Sequence, residues 1–148
     1  EVKKILCAVD LEDAIAPSVE YAKMMASMTG ASILVAYVIP AHTPYEDVYL
    51  SVNNQPNEVN NPNETIQKSM NALLAEQFAG MDATGVILVG RPSEELVKLA
   101  EEKGANLIVM GTHGRAGFDR LLFGSVAHEV VRAAPCPVMT VRPLMPKK

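Results

Sequence analysis

Three glycines stand at Gly111, Gly114 and Gly117, and a Gly124-Ser125 pair follows them. Glycine lets backbone N–H groups approach an anion with no Cβ in the way. Successive N–H groups in such a stretch can form an anion-binding nest. A helix beginning near Ser125 would add its free N–H groups and the positive end of its dipole. That dipole contributes about 0.3–1 kcal/mol per charge at an exposed site. Ser125 could donate its hydroxyl to a phosphate, or cap the helix and nothing more. The chemistry these residue types and spacings suit is the holding of a phosphate chain.

Two commoner nucleotide motifs are absent from the sequence. There is no G-x-x-x-x-G-K-[ST], so no lysine of that loop reaches the phosphates, and no G-x-G-x-x-G. Asp10 follows the first apolar run; it could contact a base or ribose, or cap the helix behind it. Arg115 could balance phosphate charge or face solvent, and Arg120 is a further polar candidate. A catalytic base must reach the attacking water with a suitable pKa. Nothing in the sequence orients His113 for that work, and His128 reads as a surface residue of the last helix. No catalytic residue is therefore assigned. No His, Cys, Asp or Glu cluster has metal-ligand spacing, so Mg²⁺ or Mn²⁺ would be held mainly by a nucleotide's own phosphates.

The elements that must position these residues alternate in type. Apolar runs at Ile5 to Val9, Ala31 to Ile39, Val86 to Val89, Asn106 to Met110 and Pro137 to Val141 read as strands. Helical patterns lie between them. One opens near Pro17 and stops at Gly30. A second carries Ile66, Met70, Leu73, Leu74 and Phe78 and stops at Gly80. A third runs from Pro92 to Gly104 with Leu96, Leu99 and Ala100 inward, and a short one covers Val126 to Ala133. Five strands separated by helices predict a single-domain, open five-stranded parallel sheet with helices on both faces. In such sheets ligands bind beyond the carboxyl ends of the strands, where strand order reverses. Asp10 and the Gly111 series both follow strands directly. Residues 40–63 hold four prolines, and five asparagines lie between Asn53 and Asn61. That stretch reads as a long loop, either a lid or contact segment or a passive insertion.

Bulk composition narrows the partners. The 148 residues suit one domain, and 49% of them are hydrophobic. A net charge of −4 argues against a nucleic-acid binder, which needs a basic face, and mildly against anionic membranes. No apolar run approaches the ~20 residues of a membrane span. Cys7 and Cys136 are far apart and lie in apolar stretches, so they read as reduced, buried thiols. With no signal peptide in view, the expected compartment is the cytoplasm.

The pattern G-x-x-G, nine residues, then G-[ST] is complete in Gly111, Gly114, Gly124 and Ser125. It resembles the ATP-binding signature of the universal stress protein family. The opening Lys3 to Asp10, the stretch Asn106 to Arg115 and the closing Ala134 to Arg142 resemble the family's first strand, fourth strand with its loop, and last strand. The resemblance covers nearly the whole chain, 1–148, and is least evident in 40–63. It implies an adenine-nucleotide alpha-hydrolase-like fold with strand order 3-2-1-4-5. It also implies adenosine against Ala8, Val9, Asp10 and Val38, with ribose and phosphates near Met110, Gly111, Gly114, Gly124, Ser125 and Val126. His113 and Arg115 belong to the same loop. After Val126 the family often carries a hydroxyl residue, and here Ala127 stands instead. The function expected from the resemblance is ATP binding in a regulatory or stress-response role, with slow or no hydrolysis. A weak ATPase or phosphotransferase and a nucleotide-independent dimeric interaction module are the alternatives. A homodimer through the fifth strand is expected, because that strand lies at a sheet edge in this order.

Overall fold

The computed structural model describes residues 1–11, 16–40, 55–112 and 119–142. Nine elements alternate along the chain: β1 (Lys4–Ala8), α1 (Pro17–Thr29), β2 (Ser32–Pro40), α2 (Glu64–Gln77), β3 (Ala83–Gly90), α3 (Pro92–Lys103), β4 (Leu107–Gly111), α4 (Asp119–Ala133) and β5 (Val138–Val141). The strands form one sheet in the order β3-β2-β1-β4-β5. All four neighbouring pairs are parallel. The expected fold class and strand order are both met.

Apart from Lys4 at the start of β1, the two central strands β1 and β4 are apolar because helices cover both of their faces. Ile5, Leu6 and Cys7 of β1 are wholly buried, as are Ile108 and Val109 of β4. Period-two alternation then sorts the core into two layers. Ile5, Cys7, Val35 and Val109 pack under α1 and α2, against Val19, Ala22, Met70 and Leu73. Leu6, Ala36, Leu88, Ile108 and Met110 pack under α3 and α4, against Leu96, Leu99, Val126 and Val130. Helix ends follow the sequence signals: Pro17 lies in the first turn of α1, and Gly30 closes it at φ 76° with its N–H on the Ala26 carbonyl at 2.8 Å.

Three expectations need correction. β3 starts at Ala83, not Val86, because backbone pairing with β2 runs from Ile33↔Ala83 to Pro40↔Gly90. Ala83, Thr84 and Gly85 carry little apolar signal, yet the ladder includes them. Gly85 is there for packing: a Cβ on it would stand 2.8 Å from Met70 Cγ. α2 ends with Phe78 as its cap, not at Gly80. α4 begins at Asp119, well before Val126. Glycine weakens a helix by roughly 1 kcal/mol without forbidding it, so Gly124 is passed over and Leu121, Leu122 and Phe123 join the helix.

The stretch read as a loop at 40–63 also differs in part. Its residues 41–54 lie outside the described residues. Its far end returns to the sheet: Glu58 pairs antiparallel with Leu88, Val59 N–H donates to the Ile87 carbonyl at 2.7 Å, and Val89 N–H donates to the Asn57 carbonyl at 3.0 Å.

Candidate functional site

Strand order reverses between β1 and β4, since the chain builds outward through β2 and β3 before crossing to β4. That reversal leaves a crevice above the carboxyl ends of the two strands. β1 ends at Ala8, paired with Ala36, and Val9 continues the ladder with its N–H on the Ala36 carbonyl at 2.9 Å. Asp10 follows at the rim, half-buried. β2 and β3 run on to Pro40 and Gly90, beyond the last β1 partner. Val38, on β2, is buried at this end of the sheet.

On the other side, Cys7 pairs with Val109, which carries Met110 and Gly111 to the same end of the sheet. Met110 is buried at 1% exposure, and Gly111 is half-buried at the end of β4. Thr112 N–H donates to the Val141 carbonyl at 3.1 Å, which fixes the exit of the chain from β4. Ala8, Val9, Asp10, Val38, Met110 and Gly111 therefore converge at one end of three adjacent strands. His113, Gly114, Arg115 and Gly117 lie outside the described residues.

Gly124, Ser125 and Val126 all lie within α4. Ser125 is exposed, while Val126 and Ala127 are buried against the sheet. Ser125 is thus not at a helix start, and the expected N-terminal N–H groups are not its own. An interior helix N–H is engaged four residues back; only the first turn has free donors. The free donors of α4 belong to the turn opening at Asp119. Ser125 keeps an exposed hydroxyl, and the reading of it as a helix cap falls away.

Sequence reasoning missed one buried charge. Glu95, in the first half of α3, is 1% exposed. Its Oε1 accepts Asn57 N–H at 2.7 Å, its Oε2 accepts Asn57 Nδ2 at 2.8 Å, and Lys98 Nζ lies 3.4 Å from Oε2. The available signal was its spacing: Glu95 precedes Leu99 by one turn and so shares its inward face. Cys7 is fully buried, and desolvation pushes its thiol up to about 12. Such a thiol is inert at neutral pH. Burial also raises Cys136, which is half-buried. Among the described residues no group of His, Cys, Asp or Glu could hold a metal ion, and no helix is long and apolar enough to cross a membrane.

Residues 1–142 match the model of the universal stress protein family. The chain belongs to the universal stress protein family. A universal stress protein of Thermus aquaticus is 33% identical, aligned over 95% of this chain and 98% of its own length. Universal stress protein MJ0577 of Methanocaldococcus jannaschii is 28% identical over 95% of this chain and 94% of its own. A second protein of that organism, universal stress protein MJ0531, reaches 47% identity, but over only 51% of this chain and 42% of its own length. Among solved structures, MJ0577 superposes with a TM-score of 0.71 at 24% identity, covering 98% of this chain and 99% of that one. A universal stress protein in complex with cAMP superposes at 0.67 and 23% identity, covering 95% and 97%. One from Archaeoglobus fulgidus in complex with dAMP superposes at 0.56 and 24%, covering 93% and 96%. At these identities the structural likeness speaks for the fold.

Proposed function

We propose that this universal stress protein holds an adenine nucleotide in the crevice between β1 and β4. The nucleotide is ATP, with Mg²⁺ or Mn²⁺ carried on its phosphates. The observation that carries the reading is the convergence of Ala8, Val9, Asp10, Val38, Met110 and Gly111 at the strand ends, leading directly into the glycine series. Adenine and ribose would lie along Val9, Asp10 and Val38. Phosphates would lie along Gly111, Gly114, Gly124 and Ser125, with His113 and Arg115 in the same loop. Two relatives of the same fold are described with cAMP and dAMP, both adenine nucleotides. The choice of a triphosphate rests on the repeated glycines, which offer backbone donors to more than one phosphate.

The role is regulatory, a stress response carried by binding in the cytoplasm. Efficient phosphoryl transfer needs positive charge at the γ-phosphate and a positioned nucleophile, and the sequence lacks the usual lysine. Calorimetry on nucleotide-free protein tests the reading. MgATP should bind, with AMP and GTP weaker, and Gly114→Val should abolish binding by placing a branched side chain against the phosphates. No heat and no thermal shift at millimolar MgATP would overturn it. Steady-state phosphate release of order 1 s⁻¹ or faster, lost in His113→Ala, would favour an enzyme instead.

The protein also pairs with a second copy through β5. β5 is the end strand of the sheet, and beside it among the described residues lies a groove of about 730 Å³ lined by Pro17, Tyr21, Met139 and Val141, with Glu20 and Arg142 at its polar margin. An antiparallel β5–β5 contact about a two-fold axis would close on itself.

A further inference from the structure

An open sheet has two edges, and each presents unpaired N–H and C=O groups to any passing strand. In this protein those edges are β5 and β3. Residues 87–89 of the β3 edge are covered by residues 57–59, the one antiparallel partner the described strands have. Two backbone hydrogen bonds to β3 and the packing of Val59 against the core keep that segment there in part. Pro56 precedes it, a single bridge joins it to Leu88, and its side chains are polar apart from Val59. Glu95 adds the side-chain grip. The carboxylate takes both donors of Asn57, backbone and side chain, one on each oxygen. A carboxylate at 1% exposure is costly to bury unless its charge and lone pairs are met. Asn57 meets the lone pairs and Lys98 the charge. The neighbouring backbone is shaped to the same end. Gly90 sits at φ 142°, and a Cβ there would lie 3.1 Å from Glu95 Cγ and Oε2. A side chain at residue 90 would crowd the carboxylate at the β3 terminus.

We propose that Glu95 is the latch of a self-capped sheet edge: by gripping Asn57 it helps keep residues 57–59 on the carboxyl end of β3, which closes that part of the edge to the β5 edge of a second copy. The physical need is one of closure. A β5–β5 contact joins identical surfaces and stops at two chains. A β3–β5 contact joins different surfaces, leaves one of each free, and propagates into an open filament. Capping the carboxyl end of β3 shortens the edge open to the second mode and leaves the first untouched. The choice of β5 as the occupant rests on the pairing reading given above; the latch itself does not.

Glu95→Gln keeps the volume but turns one acceptor into a donor facing the donors of Asn57. Native-state amide exchange should then rise at least about tenfold at Val59 and Val89, the latch having been a pair of hydrogen bonds to a charged group. Exchange at Leu6 and Ile108 in the central strands should stay as in the wild type. In sedimentation velocity across the micromolar range the variant should grow with concentration beyond the single species of the wild type. Adding Thr140→Pro, which spoils the β5 edge, should stop that growth. If Glu95→Gln does not fold, Val59→Pro is the second variant: it removes the N–H that reaches Ile87 and leaves Glu95 and Asn57 in place. It should produce the same growth. Unchanged exchange at Val59 and Val89 in Glu95→Gln would overturn the latch. Absence of growth in a folded variant, or growth that survives Thr140→Pro, would overturn the β3–β5 contact. A monomeric wild type would end the β5 pairing reading alone, because the exchange measurement is independent of it.

Discussion

Ser125 shows how a single position changes meaning once its element is known. As a helix cap, its replacement by alanine would cost about 1 kcal/mol. Inside α4 and exposed, alanine is the better helix former by up to about 0.7 kcal/mol. Ser125→Ala should therefore leave the urea midpoint unchanged or slightly raised. If its hydroxyl meets a phosphate, MgATP affinity should fall by about tenfold, the usual scale for a hydrogen bond to a charged group. A clear loss of stability would restore the capping role. Cys7 makes a second prediction at this scale. Burial pushes its thiol from the ordinary value of 9.0 up to about 12, so between those values the native state retains a proton that the unfolded chain releases. The stabilisation is whole below pH 9 and drains as pH rises toward 12, by up to about 1.4 kcal/mol per pH unit. Urea unfolding at stepped pH on wild type and Cys7→Ala should show the wild-type slope to be the steeper above pH 9. Parallel slopes would contradict it.

At the scale of elements, β3 and α2 are matched through an absence. Gly85 leaves room for Met70, whose Cγ and Sδ would stand 2.8 and 2.9 Å from an added Cβ. Met70 is 1% exposed and has little space to retreat. Gly85→Ala should destabilise the protein by about 1–3 kcal/mol, the usual cost of overpacking. Trimming the neighbour in Gly85→Ala/Met70→Val should recover part of that loss. Simple additivity of the two substitutions in thermal unfolding would rule out the close contact as the cause. The same pair explains why the start of β3 was hard to see. A strand is recognised by its side chains, but this stretch pairs through its backbone and is kept small by the helix above it.

At the scale of the whole molecule, the proposed assembly is a pair joined through β5. The carbonyls of Pro137 and Val141 accept from Ile108 and Thr112 of the β4 side. By period-two alternation the Thr140 N–H points the other way, to the open edge. Thr140→Pro should remove an edge donor and leave the β4–β5 ladder standing. Sedimentation equilibrium should show a dimer in the wild type and a 15.9 kDa monomer in the variant, with MgATP affinity little changed. A wild type that stays monomeric at micromolar concentration would exclude the pairing. Loss of binding together with the dimer would mean that the crevice and the β5 edge are coupled.

Much of this architecture follows from local order in the chain. Central parallel strands are buried on both faces, so Ile5–Cys7 and Leu107–Met110 had to be continuous apolar runs, and Pro17, Gly30, Pro92 and Gly104 mark helix ends by backbone constraint alone. Those signals are short-range, and they were enough to place Asp10 and Gly111 at strand ends and the crevice between them. Contacts between distant residues were not legible. Nothing near Gly124 in sequence announces that α4 starts at Asp119, because a helix packed on a sheet can carry an interior glycine. Nothing near Asn57 announces that it will meet a buried carboxylate 38 residues later. Burial of Glu95 is set by three segments meeting in space, and only the folded chain brings its acceptors and their donors together.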